Sequence, residues 1–405
     1  MSPPRDDLPG VLLLAPYLPP EGGAAAARLA GLAEQLAALG HRIFVVAPQP
    51  SYFLPEGSAV REREEGVIRV PLGRRGSGPI GNAWSQLRLL FALRAGAQSA
   101  LECFEPDVVL VSSPPPLAAL AGHGLRGKGG RQLPLVLDLR DLWPDVLVEA
   151  GIIGDQSPVT GFLRFVERRM LSGATRVTTV TRTKVERLRE RLTTEPVLVS
   201  NGIDPDWLSG EPSYGGGDDD DFEILHAGNV GRPQDLGVLV EALAIARRSG
   251  APLRATLVGG GEDLPRVRRR AEELGLPITF IAPEPRESIK QRLARCGCAF
   301  SSLRTEELVD AVPSKVFEAL SLGVPIVLSA AGESARVVEE SGGGVVVSPG
   351  RPAELAKVLV ELAASGPEHR AELGRTGREH VSEHYRREVA AQHLSGLLRE
   401  IVAPS

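Results

Sequence analysis

The chain has 405 residues, of which 42% are hydrophobic and 24% charged. That length fits two domains of about 100–200 residues each, and the composition excludes a fibrous or a wholly disordered chain. Basic residues number 46 against 51 acidic, so no global field favours nucleic acid; the three cysteines do not make a disulfide framework and point to a reducing compartment.

The opening residues Met1–Asp7 carry acids where a secretory leader is basic, and Val11–Ala15 is too short for a leader's apolar stretch. No run reaches about 18 uncharged apolar residues. The best candidate, Leu87–Leu101, contains Arg88 and Arg94. The expectation is a cytoplasmic protein that does not span a membrane.

In chain order, short apolar runs alternate with longer helical segments. Val11–Ala15 reads as a buried strand. Ala24–Leu39 reads as a helix, with Leu29, Leu32, Leu36 and Leu39 at helical spacing and Gly40 behind it. Ile43–Ala47, Asp107–Ser112, Pro134–Asp138, Arg176–Val180 and Pro196–Val199 follow as strands, most of them separated by helical stretches. From Asp204 to Asp221 the pattern breaks into prolines, glycines and an Asp218–Asp221 run, the composition of a linker. Alternation then restarts. Phe222–Ala227, Arg254–Val258, Thr279–Ile281, Cys298–Ser301, Pro325–Leu328 and Gly344–Val347 read as strands, with helices at Gln234–Ser249 and Leu264–Leu274. The tail is helical in three pieces, Leu355–Ala364, Glu368–Glu379 and Glu383–Ile401. Alternating strands and helices imply parallel sheets, so the predicted class is α/β, with two Rossmann-like domains of similar size joined near residue 205.

Open parallel sheets hold ligands beyond the carboxyl ends of their strands, so the runs after each strand matter most. Gly22 and Gly23 follow the first strand and let backbone amides approach an anion at a helix start. The run is not Gly-x-Gly-x-x-Gly, which counts against a dinucleotide site. Asp138-Leu-Arg-Asp-Leu-Trp-Pro-Asp145 gathers Asp138, Asp141, Asp145, Arg140 and Trp143 at a strand end. Arg140 there suits a phosphate or carboxylate, and the same residues suit a structural Arg–Asp network beside a buried indole. His226–Asp235 and Gly259–Glu262 are glycine-bearing turns, with Arg232 placed to meet phosphate. At Pro313-Ser314 a helix starts, with Ser314 as its N-cap. Lys315 and the first-turn amides then make a cationic anion site, and Glu318 one turn on suits two hydroxyls of a ribose. The alternative is an ordinary capped helix ending at Gly323.

Asp218–Asp221 reads as a solvated acidic loop. His380 and His384 are four apart but lack a third ligand, so no metal site is expected. Leu87–Leu101 and Gly161–Leu171 are apolar with interspersed arginines, a pattern of core-facing amphipathic helices or of peripheral membrane contact.

Together these runs resemble the retaining glycosyltransferases of family GT4, which have the GT-B fold. The resemblance covers almost the whole chain and looks nearest the bacterial branch that builds capsule and O-antigen polysaccharides, fucosamine-type transferases included. It is carried by Pro19-Pro-Glu-Gly-Gly23, Leu39-Gly-His-Arg-Ile43, Ser112-Ser-Pro-Pro115 and Arg140-Asp-Leu-Trp-Pro144. In the second half it is carried by Asn201-Gly-Ile-Asp204, Ala227-Gly-Asn-Val-Gly231 and Pro313-Ser-Lys-Val-Phe-Glu318.

The resemblance implies two Rossmann-like domains facing a cleft. Residues 1–204 would take the acceptor, residues 205–383 the nucleotide sugar, and a helix within 384–405 would cross back to the first domain. It implies a UDP-linked nucleotide-sugar donor, a glycan, polyprenyl-linked or small-molecule acceptor, no cofactor and no metal. Glu318 matches the family glutamate that holds the ribose. Ala282 and Pro283 lie in the stretch that meets the base. Lys315 and Arg232 would hold the diphosphate, with Asn229 and Ser314 in the same loops. Gly22 and Gly23 match the glycine loop against the phosphates. Arg140 and Asp141 stand where many relatives carry a His-containing motif beside the donor sugar.

Asp310 stands at the first position of the family's Glu-x7-Glu pair and is one methylene shorter. Asn229 and Gln234 stand where Arg and Lys are common, and Ala282 where Gly is common. The implied chemistry is front-face displacement, in which the leaving diphosphate oxygen helps deprotonate the acceptor; it needs positioning and charge stabilisation. Rival readings are a nucleotide-sugar epimerase of the same fold and, motivated by Asp310, a catalytically degenerate partner subunit.

Overall fold

The computed structural model describes residues 8–21, 24–50, 65–73, 78–149, 151–209, 222–305 and 308–403. The chain forms two compact units. One comprises residues up to Gly202 together with Arg387 onward, and the other Ile203–Arg386.

The first unit is built on a parallel sheet of seven strands: β1 (Val11–Leu14), β2 (Ile43–Pro48), β3 (Val67–Val70), β4 (Val108–Ser113), β5 (Leu135–Leu139), β6 (Arg176–Thr179) and β7 (Val197–Leu198). Their order is β3-β2-β1-β4-β5-β6-β7. Helices α1 (Ala24–Leu39), α2 (Gly78–Cys103), α3 (Asp145–Glu149), α4 (Pro158–Ser172) and α5 (Arg182–Arg189) connect them.

β1 is buried on both faces, which is why it reads as an unbroken apolar run. Alternation splits it. Val11, Leu13 and Ala15 join a core with Leu29, Leu32 and Leu36 of α1 and with Ala391, Leu394 and Leu398 of the C-terminal helix, Arg387–Val402. Leu12 and Leu14 join the opposite core with Leu89, Leu93 and Ala97 of α2 and Met170 of α4. β3 escaped the sequence reading because three of its four residues are only partly buried and Arg69 interrupts them. Its pairing with β2 defines it.

The second unit has a six-stranded parallel sheet: β8 (Phe222–Ala227), β9 (Leu253–Val258), β10 (Ile278–Ile281), β11 (Cys298–Ser302), β12 (Ile326–Ser329) and β13 (Gly344–Val347), in the order β10-β9-β8-β11-β12-β13. Its helices are α6 (Pro205–Leu208), α7 (Gly237–Arg248), α8 (Leu264–Glu273), α9 (Arg286–Leu293), α10 (Ser314–Ser321), α11 (Glu333–Ser341), α12 (Pro352–Ala364) and α13 (Pro367–His384). α7, α8 and α12 cover one face, and α10, α11 and α13 supply the core of the other.

Two expectations need correcting. The stretch from Asp204, expected as linker, begins with the helical turn α6, whose Trp207 is buried; Asp218–Asp221 lies outside the described residues. The final helix was expected from Glu383, but α13 runs to His384 and the last helix starts at Arg387. Tertiary contacts make the break. The Tyr385 carbonyl accepts from Ile203 N–H at 2.7 Å, and the Tyr385 ring packs 4.9 Å from that of Phe317.

Both sheets follow the strand order of dinucleotide-binding folds, which reverses between β1 and β4 in the first unit and between β8 and β11 in the second. Ligands of open parallel sheets sit beyond the carboxyl ends at that reversal. Among the described residues, no helix is long and apolar enough to cross a membrane.

Candidate active site

In the second unit the reversal is occupied by His226, Gly228 and Lys315. His226 ends β8 fully buried. Its Nδ1 lies 3.1 Å from the Phe300 carbonyl of β11, and its Nε2 lies 3.3 Å from Lys315 Nζ. Burial foremost, and then the Lys315 charge, push the imidazole down to about 3, so the ring is neutral. Lys315 is itself pulled down to about 8 by burial, against the opposing influence of Glu318.

Glu318 lies one turn further along α10 and is partly buried. Burial raises its pKa, opposed by a hydrogen bond from the Ser314 hydroxyl and by the Lys315 charge. That bond corrects the expected N-cap. Pro313 is the cap residue, Ser314 is already helical, and its hydroxyl serves the Glu318 carboxylate rather than a backbone amide. Asp310 is buried in the segment leading to α10. The same segment is braced by α11, whose Glu333 N–H donates to Val309 O at 2.8 Å.

The glycine turns are explained by loop-on-loop packing. Gly228 N–H donates to Val258 O at 2.8 Å and Val230 N–H to Gly260 O at 2.9 Å. Gly259 has φ 145°, and a Cβ there would overlap the Gly228 carbonyl. Asn229 and Gln234 brace the first loop. Gln234 Oε1 accepts from Asn229 Nδ2 at 3.1 Å and from Gly231 N–H at 3.2 Å. Arg232 is not gathered at Lys315. Its exposed guanidinium lies 3.8 Å from Glu262 and lines a charged recess with Arg266, Arg269 and Arg304. Ala282 and Pro283 are exposed after β10, and Pro283 Cγ lies 3.8 Å from where a Cβ on Gly260 would stand. The stretch expected to meet a base therefore adjoins the β9 turn.

In the first unit, Gly22 and Gly23 lie outside the described residues. The Asp138–Asp145 run divides into two kinds of residue. Asp138 is buried and structural: Arg28 Nη2 donates to it at 2.8 Å, Ser112 Oγ at 3.0 Å and Thr178 Oγ1 at 3.1 Å. Asp145 is taken by Arg187 and Arg191, each at 2.5 Å. Arg140 and Asp141 remain. The Arg140 N–H donates to Ser113 O at 2.9 Å, while burial lowers its guanidinium's pKa against the charge of Asp138. Arg140 Nη1, Trp143 Nε1 and Ser113 Oγ are buried at the ends of β4 and β5 with no hydrogen-bond partner among the described residues. Buried polar atoms normally have one, which makes the ends of β4 and β5 a candidate position for a ligand.

Sequence reasoning missed Arg28 and His226. A lone Arg beside the Leu29 stripe, and a His closing an apolar strand, were the available signals. His380 and His384 stack edge-on at 4.6 Å. Among the described residues no group of three or more His, Cys, Asp or Glu is arranged to hold a metal ion.

Comparison with known proteins agrees with this architecture. The family description "Glycosyl transferase 4-like domain" matches residues 23–202, and "Glycosyl transferases group 1" matches residues 215–380. "Probable glycosyltransferase WbjE" of Pseudomonas aeruginosa is 24% identical over 322 residues, 74% of this chain and 76% of that protein. The amylovoran biosynthesis glycosyltransferase AmsK of Erwinia amylovora is 21% identical over 184 residues, 44% of this chain and 45% of that protein. Among solved structures, Anabaena HepE in complex with UDP and glucose superposes with a TM-score of 0.69 at 19% identity, covering 97% of this chain and 100% of HepE. The chain belongs to the GT4-type glycosyltransferases of GT-B fold, with a glycosyl transferase 4-like domain followed by a glycosyl transferases group 1 domain.

Proposed function

We propose that the protein transfers a sugar, with retention of configuration, from a UDP-linked donor to a glycan or polyprenyl-linked acceptor in polysaccharide biosynthesis. The observation that carries this reading is the Lys315–His226–Glu318 group at the β8/β11 reversal. A half-buried ammonium beside the N-terminus of α10 suits a diphosphate, and a carboxylate one turn on suits ribose hydroxyls. HepE, which has this fold, has been solved with UDP and with UDP-glucose, and AmsK is named for amylovoran biosynthesis; both support the reading.

The chemistry needs no nucleophile from the protein. Lys315 and the α10 amides stabilise charge that develops on the leaving diphosphate, whose oxygen takes the acceptor proton. Ala282 and Pro283 present backbone to the base, Asn229 holds the β8 loop in shape, and Ser314 holds Glu318. Asp310, at the entry to α10, is assigned to the donor sugar. In the first unit we assign Arg140 and Asp141 to substrate, Arg140 through its unpartnered Nη1. We assign no metal and no cofactor to the site.

The test is ligand-induced thermal shift with UDP, GDP, TDP and ADP and their sugars, with and without magnesium. One nucleotide should raise the melting temperature of the native protein, and Glu318→Ala and Lys315→Ala should abolish that rise. Absence of any shift in the native protein would defeat the reading.

A lipid-linked acceptor fits the surface of the first unit, and we propose that this face rests on an anionic bilayer. Val159, Phe162 and Phe165 stand exposed along α4, with Arg168 and Arg169 exposed beyond them and Ile152 just before the helix. Trp84 and Phe91 stand exposed on α2, and both helices pack on the turn of helix Pro116–Gly122. Half an exposed Phe is about 100 Å² of apolar surface, so immersing one contributes up to about 2.5 kcal/mol. Phe162→Ser/Phe165→Ser should weaken binding to phosphatidylglycerol vesicles at least tenfold and leave melting unchanged. Equal binding by both proteins would remove the membrane from the proposal.

A further inference from the structure

Lys315 has three N–H donors, and its surroundings dispose of them unequally. One points to His226 Nε2 at 3.3 Å. The ammonium also lies against Gly228, where a Cβ would stand only 2.9 Å from Nζ. The imidazole is held in turn by the neighbouring strand. Its Nδ1 faces the Phe300 carbonyl at 3.1 Å, and its Nε2 also lies 3.4 Å from the Asn229 carbonyl. An ammonium only donates, so the nitrogen that meets it must be a bare acceptor. The proton of the neutral ring then sits on Nδ1 and is donated to Phe300 O, the shorter of the two carbonyl contacts.

We propose that His226 is a positioning residue for the sugar-nucleotide site: it accepts one hydrogen bond from Lys315 Nζ and so aims the other two donors of that ammonium at a diphosphate. The proposal rests on the nucleotide-sugar reading given above. It goes beyond that reading in assigning a function to a fully buried ring that acts through Lys315.

Burial supports the assignment, since a charged ring at this position would repel Lys315. Among the described residues, the charged groups that act on the pair are Lys315 itself, Glu318 one turn along α10, and Arg286 of α9, which acts on Glu318.

Two measurements on the full chain test it. The first is the affinity of the native protein, His226→Phe, His226→Gln, Lys315→Met and the double variant His226→Phe/Lys315→Met for UDP and for UMP, by calorimetry. Phe keeps the ring's bulk without an acceptor, whereas Gln restores an acceptor near the position of Nε2. His226→Phe should weaken UDP about tenfold while UMP binding changes less than threefold, and His226→Gln should recover most of the loss. The double variant should bind UDP no worse than Lys315→Met alone. Additive losses, or equal losses for UDP and UMP, would overturn the proposal.

The second measurement needs no nucleotide. The chain has five lysines, Lys128, Lys184, Lys290, Lys315 and Lys357, so the side-chain resonance of Lys315 in lysine-labelled protein is assignable by substitution. Losing the acceptor should lower the titration midpoint of Lys315 in His226→Phe, and His226→Gln should restore it. An unchanged midpoint in His226→Phe would overturn the proposal. Failure of all variants and the native protein to bind UDP, with the midpoint moving as expected, would instead locate the error in the nucleotide reading.

Discussion

Replacing Arg28 by methionine breaks a buried charged pair that ties α1 to the heart of the first sheet. Arg28 and Asp138 are 2% and 3% exposed and 2.8 Å apart, and the same guanidinium donates to Val199 O at 2.9 Å and to Ser200 O. Methionine fills much of the same volume and leaves a carboxylate buried without its main cation. Breaking a buried pair in this way costs about 3–5 kcal/mol. For a unit of this size each kcal/mol moves the melting temperature about 2–4 °C, so the first unit should melt about 10 °C lower.

The pH dependence gives the sharper test. Burial pushes Asp138 up, but Arg28, by charge and by hydrogen bond, then Arg140 and Ser112 reverse this and hold it below the usual carboxylate range. In the native protein the depressed carboxyl contributes stability that is present above its unfolded value of about 3.9 and is lost as pH falls below it. In Arg28→Met burial dominates and the carboxyl is raised. It then protonates on mild acidification, and the neutral acid no longer bears the desolvation cost. The deficit should therefore shrink between pH 7.5 and pH 5. Calorimetric melting at both values, with hydrogen exchange on the β5 peptide to identify the unit that melts, reads this directly. A shift below about 3 °C, or one of equal size at both pH values, would refute the reasoning.

Three further outcomes follow from the second unit. Affinity for UDP should fall as pH rises past about 8, where the Lys315 ammonium titrates, and Lys315→Met should flatten that profile in calorimetry from pH 6.5 to 9.5. Gly259→Ala should cost about 1–3 kcal/mol, seen as a lower melting temperature, because φ is 145° there and the methyl group would meet the Gly228 carbonyl. Ser314→Ala should leave melting within about 1 °C, since a lost N-cap would cost about 1 kcal/mol but this hydroxyl is not capping; UDP affinity should drop less than tenfold through Glu318.

Much of the architecture was legible because parallel strands buried on both faces write themselves as apolar runs. β1 and β12 are examples, each buried along its whole length. What was not legible is set by partners far along the chain. The break at Tyr385 depends on Ile203, and the fate of Asp138 depends on Arg28, 110 residues away. His226 meets Lys315 across 89 residues, so spacing carries no trace of the pair. Ser314 misled because a hydroxyl after proline at a helix start satisfies the rule for a cap, and only the Glu318 carboxylate shows where it points. The Asp138–Asp145 run shows the limit of counting charges. Two of its three acids serve the fold, and geometry alone separates them from Arg140 and Asp141.

The C-terminal helix has a consequence for how the chain is made. It supplies Ala391, Leu394 and Leu398 to the core that Val11, Leu13 and α1 share. A ribosome releases β1 through β7 long before it reaches Arg387, because residues 203–386 must be synthesised in between. At about 5–20 residues per second that interval lasts roughly ten to forty seconds. Throughout it, the nascent first unit carries an apolar face that α1 covers only in part, the kind of surface on which a chaperone acts.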